Sequence, residues 1–288
     1  MIKLCLVDMS SIIPSPFLIS FLINVILFVC LLVIVYRHKG KIVKKIRKFT
    51  NWQTIPTDQV LSTFNNEPME AVNEMIDIGA DTTITFLFLG NSLTYTGVPD
   101  EEPDKERRGA TSTSKDKDYV HLLMKRISSS NSVNVDFSVV NIADFERGFK
   151  RDSLNMEHIS NAKNLNPDYL IVQIGENVSI NDLNNPKVYE DEYVKLLSMF
   201  PQSEKIITIP FWPSKVKEYV TTNVAIRSGA FLVDLAHLGD GTDKLNFASS
   251  YRKYKQPGVG AHPGDYGMQN IANCIFATYN AIKGLKKS

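Results

Sequence analysis

The chain has 288 residues, of which 43% are hydrophobic and 22% charged, the proportions of a globular protein and not of a disordered or fibrous one. Its 32 basic and 31 acidic residues leave a net charge of +1, so the balance gives no ground for a nucleic-acid or polyanion partner. Of the three cysteines, Cys5 and Cys30 lie near the N-terminus and only Cys274 belongs to the body, which excludes an intramolecular disulfide there.

After a flank of residues 1–16 comes "FLISFLINVILFVCLLVIVY", Phe17 to Tyr36, 20 residues without a formal charge. A helix of that length spans about 30 Å, one hydrocarbon core, and is expected to cross a membrane once. A cleaved signal peptide has a shorter apolar region and a small-residue cleavage site; here "RHKGKIVKKIRK" follows, so an uncleaved anchor is expected. Seven Lys/Arg between Arg37 and Lys48 place the C-terminal part in the cytoplasm by the positive-inside rule. They also favour contact with anionic lipid headgroups. Residues 37–81 read as a basic, then polar, juxtamembrane spacer with one short helix near Met69 to Ile76.

From residue 82 to the end the signals are those of one alternating α/β domain. "TITFLFL" is a continuous apolar strand, "DYVHLLMKRISS" a one-faced helix and "VNVDFSVV" a second strand. "DYLIVQIG" is a third strand, "NPKVYEDEYVKLLSMF" a helix, "EKIITIPFW" a fourth strand, "VKEYVTTNVAIRSG" a helix closed by Gly229, and "AFLVDLA" a fifth strand. "GDYGMQNIANCIFATYNAIKGL" is the last helix. This order predicts a mainly parallel sheet between two helical layers, with ligands at the carboxyl ends of the strands. The polar insertion 97–117 follows the first strand as a lid, a substrate wall or a plain solvated loop.

Three segments end at that edge. "FLFLGNSLTYTG" brings Ser92 to the end of a buried strand behind Gly90; "IVQIGENVS" puts Glu176 and Asn177 after Gly175; "GVGAHPGDYGM" puts His262 in a Gly-rich loop before the last helix. A serine becomes a nucleophile beside a base and with donors ready for the oxyanion, and an asparagine amide is such a donor. No Gly-X-Gly-X-X-Gly or Walker-type loop follows any strand, which counts against a nucleotide-binding domain.

Together, Gly-Asn-Ser, Gly-Glu-Asn and His-Pro in this order resemble the blocks of the SGNH hydrolases, the group that contains the GDSL esterases, over roughly residues 82–284. The resemblance implies a flavodoxin-like three-layer sandwich, Ser92 as nucleophile and backbone oxyanion donor, Asn177 as side-chain oxyanion donor and His262 as general base. It also implies ester hydrolysis, often of acetyl groups on carbohydrates, without metal or organic cofactor. The expected partners are an acylated small molecule or glycan and, through the N-terminal segment, membrane lipid.

The departures are specific. Val259 stands where the family has an aspartate three residues before its histidine, so His262 is oriented by a backbone carbonyl or by another acid, with Asp265 and Glu176 as candidates. In "VVNIADFERGF", Glu146 holds the place of an oxyanion glycine; Gly148, two residues on, is the substitute through a bulge, and the N–H of Ala143 or Asp144 the alternative. A sugar hydroxyl in place of water would make the same site an O-acyltransferase, and loss of chemistry would leave a silent domain that binds a glycan or a protein. His121 reads as a half-buried helix residue, His158 and His237 lack metal-ligand spacing, and Trp212 either lines the pocket or packs in the core. Asn177-Val178-Ser179 is a glycosylation sequon on the asparagine wanted at the site.

Overall fold

In a computed structural model, residues 71–97, 106–150, 159, 162 and 165–286 are described. All fall within one unit of the chain, Gln53–Ser288. The expected membrane span 17–36, most of the spacer and His158 lie outside the described residues. Among the described residues no helix is long and apolar enough to cross a membrane.

Six strands form one sheet: β1 (Val72–Ile76), β2 (Thr83–Gly90), β3 (Asn134–Asn141), β4 (Tyr169–Gln173), β5 (Glu204–Ile209) and β6 (Phe231–Asp234), in the order β1-β3-β2-β4-β5-β6. The last five are mutually parallel, as the alternation of elements predicts, and β1 adds an antiparallel edge with Val72 opposite Val139 and Ile76 opposite Val135. This corrects the sequence reading at Met69 to Ile76, where a helix was expected. In β1, Val72, Glu74 and Ile76 turn inward while Met75 faces out, 56% exposed. A glutamate on the inner face and a methionine on the outer one erase the alternation that marks a strand. The domain therefore begins before residue 82.

β2 is flanked by β3 and β4, and Phe86 to Leu89 are all buried, which is why its sequence is a continuous apolar run. The strand's period of two divides that run between two cores. Phe86 and Phe88 meet α1 (Tyr119–Asn131) and the C-terminal helix; Leu87 and Leu89 meet the other layer, α2 (Ala143–Gly148), α3 (Pro186–Ser198) and α4 (Lys215–Ser228). A short α5 (Pro257–Gly260) precedes the long α6 (Asp265–Leu285). In α6, Met268, Ile271, Ala272, Ile275, Phe276, Tyr279 and Ile282 are buried, an i, i+3, i+4 stripe laid on the sheet and α1. Burying each such large side chain stabilises the fold by about 1.5–3 kcal/mol.

Helix ends follow local chemistry. Asp118 caps α1 by accepting from the His121 N–H, Pro186 opens α3 at a position that needs no donor, and Gly229 closes α4 in the left-handed region at φ 65°. Leaving out β1, the parallel order reverses between β2 and β4, the place where ligands sit at the carboxyl edge of such sheets. Ser92 follows β2 and Asn177 follows β4.

Candidate active site

The turn after β2 is built from main-chain bonds that leave the serine at its apex. The carbonyl of Asn91 accepts from the N–H groups of Thr94 and Tyr95, both at 3.0 Å, and its side-chain oxygen accepts from Leu93 N–H at 3.1 Å. A Cβ at position 90 would lie 1.9 Å from Thr94 Oγ1, so only glycine lets the turn fold back over the strand end. Among the described residues none accepts from the Ser92 N–H, which leaves it for an oxyanion.

His262 comes to this serine from a residue 170 positions away: Ser92 Oγ lies 3.3 Å from His262 Nε2. On the other side of the ring, Nδ1 lies 3.0 Å from the carbonyl oxygen of Gly258. A carbonyl only accepts, so the proton is on Nδ1 and Nε2 presents its lone pair to the Ser92 hydroxyl. Of the two orienting groups expected, a backbone carbonyl or another acid, the carbonyl is in place, and Val259 is buried at the site of the usual aspartate. Trp212 stands edge-on to the imidazole with centroids 4.9 Å apart, and its Nε1–H donates to the Ala261 carbonyl at 3.2 Å. It packs against the base. Burial lowers the His262 pKa to about 4, against hydrogen bonds with Gly258 and Val259 that raise it, so the imidazole is neutral at pH 7.

The two candidate acids are engaged elsewhere. Asp265 accepts from Thr113 N–H at 2.8 Å, Thr113 Oγ1 at 2.7 Å and Lys117 Nζ at 2.9 Å. Those bonds, with Ala110 N–H to Ser92 O at 2.8 Å and Thr111 Oγ1 to Pro263 O at 2.8 Å, fix the second half of the insertion to the segments that carry Ser92 and His262. That half is tied down beside the candidate site. Glu176 turns inward and accepts from Asn91 Nδ2, Gln173 Nε2 and the Phe211 N–H at 2.7, 2.7 and 2.9 Å.

Asn177 enters after Gly175. The φ of +119° there, and the 2.6 Å that would separate a Cβ from Pro210 Cγ, both require glycine. Glu146 holds this loop: Oε1 accepts from Gly175 N–H at 2.6 Å, Asn177 N–H at 3.0 Å and Asn91 Nδ2 at 3.3 Å, and Oε2 accepts from Asn177 Nδ2 at 2.7 Å. Gly148, the expected second-block donor, is the buried last residue of α2; the side chain that reaches the Asn177 loop from α2 is that of Glu146. The sequence shows Glu146 only as a missing glycine. Its carboxylate is completely buried beside that of Glu176, and burial first, then the neighbouring carboxylate, raises its pKa to about 7 against the bonds from Asn177 and Gly175. Among the described residues no cluster of side chains is set to hold a metal ion.

No protein-family model matches the chain, and no curated protein does. Solved structures similar to it include a family 3 carbohydrate esterase of Clostridium thermocellum, 18% identical over 71% of this chain and 99% of that one, with a TM-score of 0.47. A lipase/acylhydrolase from Enterococcus faecalis is 17% identical over 70% of this chain and 96% of that one, TM-score 0.45. The described domain is a mainly parallel α/β sandwich in which the Gly-Asn-Ser and His-Pro blocks meet at one rim, the arrangement that the sequence resemblance to the SGNH hydrolases implies.

Proposed function

We propose that this protein is a membrane-anchored serine esterase that removes an acyl group, an O-acetyl group by the family resemblance, from a carbohydrate. The observation that carries the chemistry is the Ser92–His262 hydrogen bond at 3.3 Å together with the Nδ1 contact to the Gly258 carbonyl, which fixes the tautomer a general base needs. The Ser92 hydroxyl adds to the ester carbonyl as its proton passes to Nε2. The oxyanion is met by the Ser92 N–H and the Asn177 amide. The imidazolium returns the proton to the leaving alcohol, and an acyl-serine remains. Water, deprotonated by the same imidazole, attacks the acyl-serine and releases the acid. The apolar segment Phe17 to Tyr36 supports the anchored form.

Hydrolysis of p-nitrophenyl acetate by the full chain in detergent, beside Ser92→Ala and His262→Ala, tests the reading. Both variants are expected to lose at least about 10³-fold in kcat/KM, with acetylated glycans as the next substrates. Hydrolysis that persists unchanged in Ser92→Ala would sink the proposal.

A further inference from the structure

We propose that Glu146 is a positioning residue for catalysis, acting through Asn177: its carboxylate clamps the amide that faces the oxyanion and the loop that carries it. The inference rests on the esterase reading and deepens it. The resembling family places a glycine here and uses main chain; this chain brings a side chain into the same region, whose two oxygens accept from Asn177, Gly175 and Asn91. An asparagine amide can sit either way round. A carboxylate accepts and does not donate, so Glu146 Oε2 at 2.7 Å selects the orientation with Nδ2 inward. One N–H of that group is held, and the second is left for the oxyanion. Gly175 and Asn177 N–H bind the same oxygen, so the loop cannot shift without breaking the clamp. Glu176 closes the arrangement from the other side by sharing Asn91 Nδ2.

The cost of the arrangement is a buried charge, and the structure meets it with four donated hydrogen bonds. A residue kept only to fill space at this point would be apolar. The titratable groups that act electrostatically on the carboxylate are Glu176 from the loop after β4, Tyr189 and Tyr193 from α3, and Lys217 from α4, which also donates to the Glu176 carbonyl at 3.0 Å.

The test is a double-mutant cycle on the full chain in detergent with p-nitrophenyl acetate, with melting followed in each variant. Asn177→Ala is expected to lower kcat about 100-fold, the loss typical of one oxyanion donor. Glu146→Gln is expected to lower kcat at least about tenfold with KM nearly unchanged, because a Gln amide replaces one acceptor with a donor facing the Asn177 amide. In the Asn177→Ala background the same substitution should cost less than about threefold in kcat, since nothing is left to orient. An equal loss in both backgrounds, no loss in kcat, or a change confined to KM or to melting overturns the proposal. If Glu146→Gln does not fold, Glu146→Asp, which keeps the charge and withdraws it by one methylene, carries the same cycle. Wild-type hydrolysis that survives Ser92→Ala instead overturns the esterase reading, and this inference with it.

Discussion

At the scale of single residues, the acid side of the rate profile separates the two groups whose protonation matters. His262 works as a base only when neutral, and with a pKa lowered to about 4 by burial it stays neutral far below the usual histidine range. Glu146, raised to about 7 by burial and by Glu176, clamps the Asn177 loop only as the carboxylate; a protonated oxygen would set a donor against a donor. For the wild type, kcat/KM is therefore expected to rise as pH increases through about 7, and for Glu146→Gln to be flat there and to fall only as pH drops towards about 4. A limb near the ordinary histidine value that survives Glu146→Gln would mean that water reaches the imidazole. Ser92, Asn177 and His262 were legible in the sequence because each follows a strand or precedes a helix with a glycine beside it. Glu146 was legible only as a departure, since its partner Asn177 lies 31 positions on, beyond any local pattern.

At the scale of elements, the edge strand β1 is joined to the domain by a charged clasp that no spacing in the sequence announces. His121 of α1 lies 2.7 Å from Asp118 Oδ1 through Nδ1 and 3.2 Å from Glu74 Oε2 through Nε2, and Lys115 Nζ lies 2.8 Å from Glu74. The histidine that reads as bland is a buried imidazolium. Burial alone would lower its pKa, but Asp118 and Glu74 hold it up at about 9. Because that folded value is above the unfolded one, the clasp's contribution is fully present below pH 6.5 and is lost as pH rises through about 9. The amount is on the order of 3 kcal/mol. Melting followed from pH 6 to 10 should show this fall, and Glu74→Gln should shrink it; equal alkaline profiles in the two proteins would remove His121 from the account. The same strand predicts the fate of a chain cut at Thr82: without β1, the ladder groups of β3 from Val135 to Val139 become a free edge, and self-association is expected by sedimentation, absent when the chain starts before Val72.

At the scale of the whole molecule, the parallel strands and their flanking helices were legible because a centrally buried strand has no choice but to be apolar. The edge strand was not, because its inner face is finished by Glu74, whose partner His121 only the folded chain supplies. Two forces predict membrane binding and respond to different treatments: burial of Phe17 to Tyr36 in hydrocarbon, and attraction of the seven Lys/Arg between Arg37 and Lys48 to anionic headgroups. Salt screens the second and leaves the first. The full chain should sediment with membranes, resist extraction by high salt and by alkaline carbonate, and come off with detergent. A chain lacking residues 17–36 but keeping the basic run should be released by salt alone. Release of the full chain by salt would reduce the anchor to electrostatic contact. With the span in place, the charge asymmetry predicts Ser288 on the cytoplasmic side, and a reporter fused there that is active only outside the cytoplasm should be silent. An active one would reverse the orientation and set the Ser92 site facing the extracytoplasmic side.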